Sequence, residues 1–75
     1  MINGSDIGFA IRAIRTEKDI TVADTARLAG ISEKHLSALE HGRVDNPTIY
    51  LVASIAKVLD ISLSDLIRQA ESNTF

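Results

Sequence analysis

Five times along this chain a short polar side chain able to cap a helix stands just ahead of apolar residues at helical spacing, and one proline and four glycines punctuate the rest. With almost no alternating strand pattern, that punctuation predicts short helices and little else. The first is expected over 6–17, with Asn3 or Ser5 as cap, Ile7, Ile11 and Ile14 on one face and Arg12 on the other. Thr21, followed three residues on by Asp24, opens a second over 22–29, which Gly30 ends in the left-handed conformation that glycine adopts cheaply. Ser32 caps a third over 33–41 that buries Leu36 and Leu39 and stops at Gly42. Past the turn from Val44 to Pro47, Thr48 caps a fourth over 49–59, with Val52, Ile55, Ala56 and Leu59 inside. Asp60 stands where a glycine would be expected at its end. Ser62 and Asp65 open a fifth over 63–70 that buries Leu66 with Leu63 or Ile67, before the chain frays over Ser72 to Phe75.

A chain of 75 residues has interior for one core, so a single domain over 1–75 is expected, all-α and built as a compact five-helix bundle. It has no cysteine for a disulfide and no metal-ligand cluster, so tight helix packing or self-association must supply its stability. Neither a signal segment nor an apolar run of membrane-spanning length is visible, which makes the cytoplasm the expected location and a membrane an unexpected partner. The net charge of −2 is unusual for a protein that grips phosphate, but its distribution matters more than its sum. Over 1–43 the basic Arg12, Arg15, Lys18, Arg27, Lys34 and Arg43 balance the acidic side chains, and the acidic excess falls wholly in 44–75. A nucleic-acid partner would therefore face the first stretch and bind with marked salt sensitivity.

Val22 to Leu39 form the unit that carries function. Ala26 is small where one helix crosses the other, Gly30 supplies the turn, and Ile31, Leu36 and Leu39 drive the pair into the core. The third helix is then left as an outward ridge, of a width that fits the major groove of B-form DNA.

At these residues the chain resembles the Xre-like helix-turn-helix family, the lambda-repressor-like five-helix domain shared with restriction-modification controller proteins. The resemblance spans Ile7 to Ile67 and is carried by IGFAIRAIR, TVADTARLAGIS, HLSALEHGR, NPT and LDISLSDLI. It implies that Glu33, Lys34, Ser37 and Ala38 face base edges. It likewise implies that His41, Arg43 and the amides beyond Gly42 meet the DNA backbone, and that Arg15 pairs with Glu40; Thr21 and His35 are added as candidate backbone contacts, His35 being otherwise groove-facing or merely exposed. An arginine fork matched to a carboxylate makes that pair physically reasonable. Two positions depart from the family pattern. Val22 replaces a glutamine whose amide would anchor a phosphate, and Thr25 replaces a leucine, leaving the second helix less firmly packed unless Leu28 takes over that volume.

Simpler readings exist for each of these residues. Glu33 suits the helix dipole as well as a cytosine amine, Lys34 and Arg43 can be solvated charges, and Ala38 offers only apolar contact to a thymine methyl. His35 and His41 lie on different faces and lack a third ligand, so no metal is expected. Ile61, Leu63, Leu66 and Ile67 exceed what one core-facing stripe requires, which makes them candidates for a homodimer contact. The expected function is a homodimeric transcriptional regulator reading a near-palindromic operator in double-stranded DNA. The alternative is a helical protein-interaction module, or an antitoxin-type partner-binding protein. Catalysis is not expected, because no nucleophile pairs with a positioned base, and neither a cofactor nor a small-molecule ligand is expected.

Overall fold

The computed structural model describes residues 2–72. Among them the secondary structure is helical throughout, in the order α1 (Gly4–Glu17), α2 (Val22–Ala29), α3 (Glu33–Glu40), α4 (Ile49–Val58) and α5 (Leu63–Ser72). Of the fraying expected over Ser72 to Phe75, Ser72 is instead the last residue of α5, and 73–75 lie outside the described residues.

Each start is fixed by a local hydrogen bond. Asn3 accepts from the Asp6 amide at 3.1 Å while the Asp6 carboxylate accepts from the Asn3 amide at 2.9 Å, a reciprocal box that starts α1 at Gly4, two residues before the expected position. Thr21, Ser32, Thr48 and Ser62 accept through their hydroxyls from the amides of Asp24, His35, Leu51 and Asp65. α3 and α4 each end one residue early, at Glu40 and Val58, with His41 and Leu59 in the capping position. α5 runs two residues past the expected end, to Ser72.

The four turns that follow α1 to α4 share one geometry. A left-handed residue, Asp19, Gly30, Gly42 or Asp60, is followed by a residue whose amide reaches back to the last turn of the helix. These bonds run from Ile20 to Arg15, Ile31 to Ala26, Arg43 to Ala38 and Ile61 to Ala56, at 2.9–3.1 Å. Ile20, Ile31 and Ile61 pack against the core just after their turns, the apolar contact that seals such a motif. In the turn after α3 that position is Arg43, which is exposed.

The core holds Ala10, Ile11 and Ile14 of α1, Ala26 of α2, Leu36 and Leu39 of α3, Val52, Ile55 and Ala56 of α4 with Leu59 beyond it, and Leu66 and Ala70 of α5. α1 packs on α3 and α5, α2 on α3 and α4, and α4 on α5. The α1 seam is unusually close. A Cβ at Gly8 would lie 1.8 Å from the Leu39 carbonyl oxygen, and one at Gly4 would lie 2.3 Å from that of Asp45, so only glycine lets the two backbones meet there. α2 is fitted less completely. Thr25 is fully buried, with a hydroxyl that finds no hydrogen-bond partner among the described residues, and Leu28 is 60% exposed, so it does not fill the volume a leucine at position 25 would occupy. Eight residues give α2 room for only two inward turns, and Val22, Thr25, Ala26 and Ala29 take them.

Candidate nucleic-acid interface

α3 divides cleanly into an inner and an outer side. Leu36, Leu39 and Glu40 are buried, whereas Glu33, Lys34 and His35 are exposed and Ser37 and Ala38 half-buried. Ser32 holds the start of the helix through the His35 amide at 3.0 Å, which fixes where the first exposed turn begins. The helix packs on α1 and α2, and the acidic C-terminal α5 packs instead on α1 and α4.

Thr21 lies at the head of α2, exposed, its oxygen accepting from the Asp24 amide at 3.0 Å. At the far end of α3, the His41 ring donates from Nδ1 to the Ser37 carbonyl at 2.7 Å, because a carbonyl oxygen can only accept. Gly42 then turns the chain at φ 73°, and Arg43 follows into solvent. Glu33, Lys34, Ser37 and Ala38 thus occupy the outer side of α3, with Thr21 ahead of it and His41 and Arg43 behind.

Beneath this surface, Arg15 reaches from α1 to the last residue of α3. Its Nε donates to Glu40 Oε2 at 2.7 Å, its Nη2 to Glu40 Oε1 at 2.9 Å, and its Nη1 to the Ile20 carbonyl at 2.7 Å. The side chains are 12% and 2% exposed, so one guanidinium fixes α1, the turn before α2 and the end of α3 in a nearly dry site. The Glu40 hydrogen bonds raise the Arg15 pKa above its ordinary value; burial opposes this and the Coulomb attraction adds to it. A raised pKa contributes stability below the unfolded value and loses it only as pH climbs through the folded one. Both lie far above neutrality, so the guanidinium end of the pair is insensitive to pH across the working range. The pairs Asp24–Arg27 and Asp65–Arg68 are exposed and fix nothing comparable.

Of the residues expected at a subunit contact, Leu66 is fully buried within the monomer and leaves that set. Ile61, Leu63 and Ile67 are partly buried, and Ile61 is accounted for by its place after the Asp60 turn. Sequence reasoning missed Phe9, 47% exposed, whose ring lies over Gly42, and Tyr50, 83% exposed in the first turn of α4. The available signal for Phe9 was an aromatic off the Ile7, Ile11, Ile14 stripe. Among the described residues there is no group of three metal-ligating side chains, and no helix is long and apolar enough to cross a membrane.

Two short helices joined by a glycine turn, the second polar on its outer side and anchored on its inner one, define a helix-turn-helix domain. The chain belongs to the helix-turn-helix family, whose profile matches residues 11–66, and within it to the Xre-like kind. It is similar to the HTH-type transcriptional regulator SinR of Bacillus subtilis (strain 168), 29% identical over 69 residues that make up 92% of this chain and 62% of SinR. This chain thus spans less than two thirds of that relative. The structure superimposes on the clp gene regulator ClgR of C. glutamicum with a TM-score of 0.89, at 30% identity over 95% of this chain and 91% of ClgR. It also superimposes on the controller protein C.Esp1396I bound to a 25 base pair operator site, with a TM-score of 0.81 at 28% identity, covering 91% of this chain and 88% of that one.

Proposed function

We propose that this chain is a sequence-specific regulator of transcription that places α3 in the major groove of an operator. The observation that carries this reading is the division of α3: its inner side is held by Leu36, Leu39 and the Arg15–Glu40 fork, and its outer side presents Glu33, Lys34, Ser37 and Ala38. Lys34 donates to guanine, Glu33 accepts from cytosine, Ser37 bonds to either, and Ala38 touches a thymine methyl. Thr21, His35, His41 and Arg43 meet the backbone on either side. Arg43 gains support from comparison with its counterparts: where the other three turns of this type place an isoleucine against the core, this one places a cation in solvent. A solved relative carries an operator, and the likeness to it spans nearly the whole of this chain.

The functional unit in this reading is a homodimer. Two copies with their α3 helices about 34 Å apart match one turn of DNA and require a near-palindrome. Leu63 and Ile67, with the exposed edge of Ile61, supply the subunit contact. The protein acts in the cytoplasm, carries out no catalytic step, and uses no cofactor or small-molecule ligand, so that its own concentration sets occupancy.

A helical protein-interaction module is the second reading, favoured by Val22, which packs toward the core and offers no group to phosphate. Selection of binding sites from random duplexes separates the two. Recovery of one near-palindrome is expected, and failure to retain any duplex at low salt would leave the interaction module standing. With the recovered site, Lys34→Ala is expected to change base preference at one position of each half-site. Arg43→Ala should weaken all sequences alike and flatten the salt dependence by about one phosphate contact.

A further inference from the structure

We infer that Phe9 is a positioning residue for DNA binding, whose ring closes the turn after α3 from outside and so leaves position 43 free to carry a cation to phosphate. The inference rests on the reading of α3 as a recognition helix and assigns a task to a side chain which that reading leaves unused.

The turn after α3 lacks the seal that its counterparts have. After α1, α2 and α4 the residue behind the left-handed position is Ile20, Ile31 or Ile61, each packed against the core. That contact keeps the turn closed, because opening it would return an isoleucine to water. After α3 the same place holds Arg43, which is exposed, and the chain meets the core again only one residue later, at Val44. The backbone is nevertheless that of the sealed turns, with Gly42 at φ 73° and the Arg43 amide donating to the Ala38 carbonyl at 2.9 Å. The cover must come from another element.

α1 supplies it. Gly4, Ser5, Gly8 and Phe9 share one strip of that helix, at the spacing that places side chains one above another. Along the strip, Gly8 meets the Leu39 carbonyl, Gly4 meets the Asp45 carbonyl, and Ser5 and Phe9 meet Gly42 between them. A Cβ at Gly42 would lie 2.8 Å from Phe9 Cζ, 3.2 Å from Phe9 Cε1 and 3.1 Å from Ser5 Cβ, so the tip of the ring takes the space where a side chain at 42 would begin. Phe9 is 47% exposed although Ala10 and Ile11 beside it are fully buried. Core packing does not account for an aromatic there; the cover it gives Gly42 does. An isoleucine at position 43 would close the turn and cost the cation, whereas Phe9 closes it from the far side and keeps the arginine. A turn held shut before DNA arrives spares binding the entropy of fixing it. Phe9 thus serves phosphate through Arg43 and not by touching DNA.

Two measurements on the intact chain test this, the first without DNA. In Phe9→Ala the Gly42 and Arg43 amides, bonded to the Leu39 and Ala38 carbonyls, should exchange hydrogen about tenfold faster than in the natural chain, while the Ile31 and Ile61 amides of the sealed turns keep their rates. Phe9→Leu retains an apolar cover and should restore the protection. Fluorescence anisotropy with the duplex recovered by selection then reads the consequence. Phe9→Ala should bind every sequence about five- to tenfold more weakly, the scale of fixing one residue's backbone, and Phe9→Leu should bind within about twofold of the natural chain. In an Arg43→Ala background the loss from Phe9→Ala should shrink to under about twofold, since the cation it serves is gone. Unchanged exchange at Gly42 and Arg43 overturns the inference, as does an equal rise at Ile31 and Ile61, which would mark a general loss of stability. Faster exchange with affinity unaltered overturns it too, and so does a loss that persists in full beside Arg43→Ala, the sign of a ring that touches DNA itself. If the natural chain retains no duplex even at low salt, the DNA reading falls and takes the task of Phe9 with it; any of the other failures strikes Phe9 alone.

Discussion

The recognition helix is held in two different ways by the helices on either side of it. Toward α1 the contact is backbone against backbone, with Gly8 at the Leu39 carbonyl and an arginine fork closing over Glu40. Toward α2 the contact is a two-turn helix with a fully buried threonine whose hydroxyl has no partner among the described residues, and a leucine turned to solvent. α1 thus holds α3 by close backbone approach and by the fork, while α2 meets it through the Gly30 turn and a two-turn helix whose Val22, Thr25, Ala26 and Ala29 point inward. Both arrangements use small residues. Glycine on α1 removes distance, whereas the threonine on α2 leaves an energetic debt that a fully apolar side chain would not.

The sharpest way to break this comparison is to remove the fork. Arg15→Ala strands a carboxylate that is 2% exposed and should cost about 3 to 5 kcal/mol. For 75 residues that is a large part of the on-the-order-of 4 to 11 kcal/mol available. Arg12→Ala, on the exposed side of α1, should cost under about 0.5 kcal/mol by the same urea titration, and equal losses would dispose of the fork's role. Removing Arg15 and Glu40 together should cost less than the sum of the single changes, since neither charge is then left alone.

Next in size is Gly8→Ala, whose added methyl meets a backbone carbonyl that has no rotamer to escape into. A loss of about 1 to 3 kcal/mol is expected from thermal unfolding, and an unchanged midpoint would mean the seam opens freely. On the α2 side the sign reverses. Thr25→Val keeps the shape and removes the orphaned hydroxyl, so it should stabilise by about 1 kcal/mol; a loss would show that the hydroxyl is bonded in solution. Leu28→Ala comes last, within about 0.5 kcal/mol of the natural chain, because the side chain it shortens is already in water.

The sequence was most legible where structure is decided within a few residues. Thr21, Ser32, Thr48 and Ser62 cap the helices they precede, and Gly30 and Gly42 turn the chain after α2 and α3, because caps and left-handed turns are local hydrogen-bond problems. Asp19 and Asp60 were less transparent, since aspartate in the left-handed region looks the same in sequence as aspartate anywhere. What the sequence could not expose was distance across the fold. In isolation Gly8 reads as a weak point in a helix, and only the Leu39 carbonyl beside it explains its presence. Arg15 and Glu40 lie 25 residues apart, and the family pattern rather than any spacing linked them in advance. Whether Leu28 would take over the volume at position 25 stayed open in the sequence, because eight helical positions are too few to fix which face points in.

The two turning glycines differ in what they exclude. At Gly42 a side chain would strike the Phe9 ring as well as require an unfavourable backbone, but at Gly30 no described residue beyond its two chain neighbours lies within 4 Å of the place a Cβ would take. The hinge between α2 and α3 therefore discriminates by chirality and not by volume. A mirror-image alanine installed at position 30 by chemical synthesis would adopt that backbone without strain.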